Sequence, residues 1–311
     1  MNNNTRVAVT SRSFSKNVVL REELLSRYEN VTFNDEGMKL NGNSLVNFLR
    51  GHTKAITALE SIDDVALSQL PELRVISKYG VGLDMIDMAA MDKYGVRLGW
   101  TGGVNRRSVS ELVISFAIAL LRHVPASHRE VLTGTWRQHI GGYLSGRTVG
   151  IIGCGFIGKD LVKLLQPFGC PILVNDIQRH DDFYNEYGIN AVEIDELLSQ
   201  SDIVTLHVPL DDSTKNILNA GRLALMKSDS ILINAARGGL IDEDALKNML
   251  INGEIGAAAL DVFAIEPPED NELLDLPNFM VTPHIGGSAH EAIIAMGRAA
   301  IDGLEIEASV K

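Results

Sequence analysis

Cysteine is nearly absent: Cys154 and Cys170 are the only two in 311 residues. That excludes a disulfide framework and suits a reducing compartment, so a cytoplasmic protein is expected. Positive charge is also scarce. With 28 Lys and Arg against 40 Asp and Glu, the formal net charge is −12. A nucleic acid or an anionic membrane is therefore not the expected partner, and a site for an anionic substrate must concentrate its cations locally. No apolar run is long enough to cross a bilayer, and the polar start from Met1 to Arg6 leads straight into a strand pattern. Neither signal peptide nor membrane span is expected. Repeats, low-complexity tracts and long linkers are missing, and no metal site is expected. At this length the remaining composition suits two cores of ordinary size.

What the chain has is glycine, at informative places. Gly150 to Gly158 reads G-I-I-G-C-G-F-I-G, with Gly153, Gly155 and Gly158 in a G-x-G-x-x-G spacing. Alone that motif is weak. Here Val149, Ile151 and Ile152 precede it as a strand, and Leu161, Leu164 and Leu165 follow at helical spacing. A second apolar run from Pro171 to Asn175 then ends in Asp176. Glycines let a backbone approach a pyrophosphate, a helix N-terminus favours its charge, and a carboxylate accepts from a ribose hydroxyl. The unit is expected to bind a dinucleotide, and Asp176 favours NAD over NADP. Cys154 is read as a small filler of the turn.

Short apolar runs alternate with helical patterns throughout, which predicts α/β architecture with parallel sheets. Strands are expected at Arg6 to Thr10, Ala55 to Leu59 and Arg74 to Lys78, with a helix at Val18 to Tyr28 and another capped by Asp63 or Asp64. Lys78 to Asp84 (K-Y-G-V-G-L-D) is a glycine-bearing loop at a strand's carboxyl end. Ser108 to Leu121 is a long, nearly all-apolar helix, expected to lie in a core or a subunit interface. Strands follow near Thr148, Ile172, Ile203, Ile231, Ala257 and Met280. Ser288 and Glu291 are expected to form a capping box that opens a last helix reaching almost to Lys311.

Three ionisable residues stand just after late strand patterns: Arg237 in N-A-A-R-G-G, Glu266 in A-L-D-V-F-A-I-E-P-P, and His284 in V-T-P-H-I-G-G. Hydride transfer to or from a 2-hydroxy acid needs such a set. The planar fork of Arg suits a carboxylate. Imidazole titrates in the range needed to move the hydroxyl proton, and a neighbouring carboxylate orients it and raises its pKa. Each residue alone has a duller explanation: an ion-paired Arg, a solvated turn Glu, a structural His. In series after a dinucleotide fingerprint, they favour catalysis.

Taken together the sequence resembles the D-isomer-specific 2-hydroxyacid dehydrogenase family, in its phosphoglycerate-dehydrogenase-like branch. The resemblance rests on S-K-Y-G-V-G-L-D (77–84), N-R-R-S-V-S-E-L (105–112), G-C-G-F-I-G (153–158), H-V-P (207–209), N-A-A-R-G-G-L-I-D (234–242), A-L-D-V-F-A-I-E-P-P (259–268) and T-P-H-I-G-G (282–287). It implies two doubly wound parallel-sheet domains, a Rossmann NAD-binding domain (101–286) inserted into a smaller flavodoxin-like substrate domain (1–100 plus 287–311), with the active site in the cleft between. Arg237 would hold the substrate carboxylate with the backbone at Val81 and Gly82. His284 would be the acid/base and Glu266 its partner. Cofactor contacts would come from Gly153, Gly155, Phe156, Ile157, Gly158, Asp176, His207, Pro209, Ala235, Asp261 and Gly287, with Asp261 on the nicotinamide amide. The partners implied are a small anionic 2-hydroxy or 2-keto acid and a second copy in a homodimer. An alternative is a non-catalytic NAD-sensing protein of the corepressor type.

Departures from the family pattern narrow the substrate. Phe156 replaces a usual polar residue in the fingerprint, and Met85 replaces a frequent Asn. Where phosphoglycerate dehydrogenases often carry an Arg for the substrate phosphate, this chain reads T-A-L-E (57–60), and Glu60 opposes a phosphate. Arg12, Arg106 and Arg107 are the cations left for an anionic tail. Arg179 near Asp176 bears on NADP tolerance.

Overall fold

In the computed structural model the described residues are 2–269 and 271–305. They divide into two compact units, one made of 1–105 and 288–311, the other of 106–287. The sequence had suggested breaks at 100/101 and 286/287; the second unit is inserted into the first at slightly later positions.

Unit 1 carries five parallel strands, β1 (Asn2–Val9), β2 (Tyr28–Phe33), β3 (Lys54–Thr57), β4 (Val75–Lys78) and β5 (Arg97–Gly99), in the order β2-β1-β3-β4-β5. This is the flavodoxin-like order, in which the chain first winds one way from β1 and then the other. Val7 and Val9 pack with Phe14, Leu20, Leu24 and Ile301, whereas Ala8 packs with Leu45, Leu49 and Ile76. Alternate residues of β1 thus enter different cores, because helices cover both faces of a parallel sheet. Asp63 caps the helix Asp64–Leu67 through the Ala66 amide.

Three expectations fail here. Tyr28 does not end a helix: the helix stops at Leu25 and Tyr28 opens β2. That strand lies at the sheet edge and buries fully only Tyr28, so its sequence lacks a strong apolar signal. The last helix is His290–Gly303, with Ala289 at its N-cap and no side-chain cap bond. The capping box of Ser288 and Glu291 does not form, because the helix starts one residue later than that pairing requires. Its expected extension toward Lys311 stops at Gly303, and 306–311 lie outside the described residues.

Unit 2 holds seven parallel strands, β6 (Val149–Ile152), β7 (Ile172–Asn175), β8 (Asn190–Ala191), β9 (Ile203–Leu206), β10 (Ile231–Asn234), β11 (Ala257–Leu260) and β12 (Phe279–Val281). Their order, β12-β11-β10-β9-β6-β7-β8, is that of a doubly wound dinucleotide-binding sheet. All six strands expected from the apolar runs form. The two-residue edge strand β8 escaped sequence reading because both of its residues are exposed. The helix Arg106–Leu121 buries Val109, Val113, Phe116, Ala117 and Leu120 at helical spacing against this sheet. Its other side is less covered, with Ile118 exposed. Among the described residues, no single helix is long and apolar enough to cross a membrane.

Candidate active site

The glycine turn in unit 2 is shaped by close approaches. Gly153 follows β6 with φ +97°, and a Cβ there would lie 2.8 Å from the His207 carbonyl group. A Cβ on Gly158 would strike the Gly153 carbonyl oxygen. Gly155 differs: a Cβ there would meet nothing within 4 Å among the described residues, so packing against them does not require its small size. It is the N-cap of the helix Phe156–Leu165, and no side chain caps that end. Open space over uncapped amides is what a pyrophosphate needs. Phe156 is exposed and Ile157 packs toward the core, so these two can offer only their backbone amides to it.

Asp176 stands one residue past β7. Its Oδ2 accepts from the Cys154 amide at 2.6 Å and its Oδ1 from the Gln178 amide at 2.7 Å. The carboxylate is therefore held at the mouth of the turn, where a ribose diol would meet it. His207, just past β9, shares a hydrogen bond between Nε2 and the Thr205 hydroxyl at 3.1 Å. Burial lowers its pKa to about 3, so the ring is neutral near pH 7. Its enclosed Nδ1 has no hydrogen-bond partner among the described residues. Pro209 is exposed and Ala235 buried on the neighbouring strand ends. These residues fit a dinucleotide.

The candidate reacting groups stand beyond three adjacent strands, β10, β11 and β12. Asn234 ends β10 and is buried; its side chain donates to the Arg237 carbonyl at 2.8 Å and accepts from the Ala236 amide at 3.0 Å. This side-chain bridge shapes the turn that presents Arg237, whose Nη1 donates to the Ala236 carbonyl at 2.7 Å. Gly238 lets that turn press on the Phe263 carbonyl of the next loop, since a Cβ there would overlap it. In that next loop Glu266 accepts from the Phe263 amide at 3.2 Å with Oε1, leaving Oε2 for His284. His284 Nδ1 lies 2.9 Å from Glu266 Oε2. A carboxylate accepts, so Nδ1 carries the hydrogen and Nε2 is left for chemistry. The two side chains are 48% and 40% exposed, so the pair is reachable from outside.

His284 adopts φ +56°, a left-handed conformation uncommon for a side chain of this kind. What holds it there is Asp261, the residue after β11. Asp261 is 1% exposed; its Oδ1 accepts from the Thr282 hydroxyl at 2.5 Å and the Ile285 amide at 2.7 Å, and its Oδ2 from the Gly286 amide at 2.7 Å. Its carbonyl accepts from the His284 amide at 2.8 Å. The Ser108 hydroxyl adds a tether to the Gly286 carbonyl at 2.6 Å. Oδ1 thus accepts two donors and Oδ2 one from the turn carrying His284, and the side chain is buried beneath that turn. Gly287, at the end of the same turn, is half-buried.

In unit 1 the loop after β4 carries Gly80 at φ +122°, then Val81 and Gly82, both partly exposed. Trp100 Nε1 donates to the Val81 carbonyl at 3.0 Å, which tethers this loop. Sequence reading missed Asn234 and the clamp made by Asp261. The Asn sits inside a quoted motif, but nothing in its spacing reveals that it braces a turn.

A sequence profile described as "D-isomer specific 2-hydroxyacid dehydrogenase, NAD binding domain" matches residues 114–286. This chain belongs to the D-isomer specific 2-hydroxyacid dehydrogenase family. A hydroxypyruvate reductase of Thermotoga maritima is 38% identical over 71% of this chain and 72% of its own length. A D-3-phosphoglycerate dehydrogenase of Bacillus subtilis is 36% identical over 76% of this chain but only 46% of its own length. The chain thus spans about half the length of the curated phosphoglycerate dehydrogenases it matches. Among solved structures, one from Polaromonas sp. JS6 66, described as a D-isomer specific 2-hydroxyacid dehydrogenase, superposes with a TM-score of 0.88 at 30% identity. It covers 97% of this chain and 95% of that one. Unit 2 is accordingly the NAD-binding domain of this family, and the glycine turn with Asp176 is the part of it that fits NAD.

Proposed function

We propose that the chain is an NAD-dependent oxidoreductase that interconverts a D-2-hydroxy acid and its 2-keto acid, of the phosphoglycerate, hydroxypyruvate or glyoxylate type. The observation that carries this reading is the His284–Glu266 pair at 2.9 Å, built on the turn that Asp261 clamps. Bound NAD supplies the hydride chemistry. Arg237 holds the substrate carboxylate through its planar fork, with help from the backbone at Val81 and Gly82. In the reducing direction His284 gives up the proton at Nε2 to the forming alkoxide. Glu266 stabilises the protonated ring and fixes its orientation. In oxidation the same nitrogen takes the hydroxyl proton.

Gly153, Gly155, Phe156, Ile157 and Gly158 line the pyrophosphate, mostly through amides, and Asp176 takes the ribose. A 2′-phosphate would stand beside that carboxylate, and the like charges favour NAD over NADP. Unit 1 serves the substrate. No finding supports the non-catalytic NAD-sensing alternative.

The protein is a cytoplasmic homodimer in this reading. The helix Val124–Leu132 buries none of its residues, and Trp136, Ile140 and Tyr143 beyond it are 83%, 95% and 80% exposed. Such an apolar strip is unusual on a monomer surface. Sedimentation equilibrium showing only monomer at micromolar concentration would remove this part.

The deciding experiment is NADH oxidation against glyoxylate, hydroxypyruvate, pyruvate and 3-phosphohydroxypyruvate, in the unaltered protein and in His284→Ala. Turnover with at least one acid, reduced about 10²- to 10⁴-fold in the variant, is expected. Equal turnover in both proteins would sink the acid/base role, and silence with every acid would sink the dehydrogenase.

A further inference from the structure

The side chains of Glu266 and His284 are 40% and 48% exposed, so burial does not fix the 2.9 Å between them. Each partner needs its own support. Asp261 supplies it for His284. For Glu266 the support comes from the helix Glu243–Asn252, which follows the Arg237 turn. Leu246, Met249 and Leu250 anchor that helix in the core, and Asp242 caps it by accepting from the Ala245 amide at 3.0 Å. From the first turn Glu243 reaches across 21 residues, where its Oε1 accepts from the Ala264 amide at 2.8 Å.

That bond falls on the peptide group joining Phe263 to Ala264. A Cβ on Gly238 would lie 1.8 Å from the Phe263 oxygen and 2.4 Å from the Ala264 nitrogen, so the Arg237 turn presses on the same peptide. One short segment, 237–243, thus holds it twice, by contact and by a hydrogen bond. The preceding amide, on Phe263, donates to Glu266 Oε1 at 3.2 Å. Two consecutive amides are taken by two carboxylates, one from outside the loop and one from within it. Phe263 is buried, with its ring edge-on to Phe279 at 6.4 Å between centroids. Farther along, packing is thin: Ile265 is 71% exposed, and a cavity of about 440 Å³ lies beside the loop, its lining including Ile241, Glu243, Ala264 and Leu273. The loop has room to shift once its outer hydrogen bond is lost.

We propose that Glu243 is a positioning residue for the acid/base pair: through the Ala264 amide it holds the loop that presents Glu266 to His284, and it ties that loop to the segment carrying Arg237. This rests on the reading above that His284 and Glu266 move the proton. An acidic residue in a first turn also favours the helix macrodipole. Here Asp244 stands beside it and Asp242 caps the helix, so that benefit does not depend on Glu243 alone. What depends on Glu243 is the acceptor for Ala264. A catalytic group misplaced by about 1 Å can cost about 10²-fold, and a loop that loses one support should lose part of that.

The test measures kcat with the best acid of the panel above, and the Kd of NADH by fluorescence titration, in the unaltered protein, Glu243→Ala and Glu243→Gln. Glu243 is only partly buried, so both variants should fold. In Glu243→Gln an amide oxygen can still accept from Ala264, whereas Glu243→Ala has no acceptor. Glu243→Ala should lower kcat about tenfold with the NADH Kd within about twofold of the parent, and Glu243→Gln should keep kcat within about threefold. The decisive arm repeats Glu243→Ala in a Glu266→Ala background, where the added loss should shrink to less than about twofold because the two residues act as a unit. A tenfold loss that persists without Glu266 would overturn the proposal. So would parental kcat in Glu243→Ala, or a Glu243→Gln as slow as Glu243→Ala. Each of these results leaves the dehydrogenase reading standing. If the unaltered protein oxidises NADH with no acid, that reading falls and this proposal with it.

Discussion

The two sheets end in different ways. Beyond β10, β11 and β12 in unit 2, buried polar groups work as braces and the candidate reacting groups reach solvent. Asn234 and Asp261 are sealed and hydrogen-bonded to the turns, while Arg237, Glu266 and His284 reach solvent. Beyond β1, β3 and β4 in unit 1, the charged groups themselves brace the loops: Lys78 is sunk beneath Ala58 and one oxygen of Glu60 is occupied by Thr10 and Ala58. What unit 1 leaves reachable there includes a glycine loop and one carboxylate oxygen. A parallel sheet places loops at its carboxyl edge in both cases, but only side chains released from bracing can carry a proton.

The sharpest way to break this comparison is to remove the brace under His284. Asp261→Ala leaves the Ile285 and Gly286 amides and the Thr282 hydroxyl without their acceptor, and frees His284 from its left-handed turn. We expect kcat to fall at least about 10³-fold, and chemical denaturation to show a loss of about 3 kcal/mol, since each buried unmet donor costs about 1–3 kcal/mol. A variant that keeps near-normal kcat would show that the turn holds without its carboxylate.

The matching change in unit 1 should be milder and of another kind. Lys78→Met fills about the same buried volume without the ammonium, leaving the Ala58 carbonyl without that donor. A stability loss of about 1–2 kcal/mol with less than about tenfold effect on kcat is expected, because this cation supports loops and moves no proton. Loss of kcat as deep as that of Asp261→Ala would erase the distinction between the two edges.

The smallest effect concerns pH. His207 is neutral in the folded chain with its pKa lowered to about 3 by burial, whereas in the unfolded chain it titrates near the ordinary histidine value of 6.5. Between these values the unfolded state binds the extra proton, so stability is full above pH 6.5 and falls as the pH drops toward 3. His207→Gln should make the decline of Tm between pH 7 and 5 shallower than in the parent. Identical slopes would show that this ring does not titrate on unfolding.

Much of unit 2 was legible because its signals are local. Apolar runs of four residues are buried strands whichever neighbours they pair with, and Gly153, Gly155 and Gly158 declare a turn within six residues. Unit 1 was harder. β2 is an edge strand whose burial rests on Tyr28, bonded through its hydroxyl to Glu305 at 2.7 Å, a partner 277 residues away. The start of the last helix was misread because a capping box is only a pattern, and Ala289 can take the N-cap when packing positions the chain. Arg237, Glu266 and His284 were legible as a set. The braces were not, because a buried Asp or Asn differs from an exposed one only by its surroundings.

By itself the sequence determined the α/β alternation and the dinucleotide turn, and it singled out Asp176 and the candidate reacting residues. These depend on backbone sterics, on side-chain periodicity and on chemical type, all set within a few residues. The tertiary structure alone decided that His284 meets Glu266 across 18 residues, that Asp261 lies sealed beneath them, and that Glu60 is held from Thr10 across 50. Each is a contact between loops that adjacent strands bring together, and strand order is fixed by the packing of helices on both faces of a sheet.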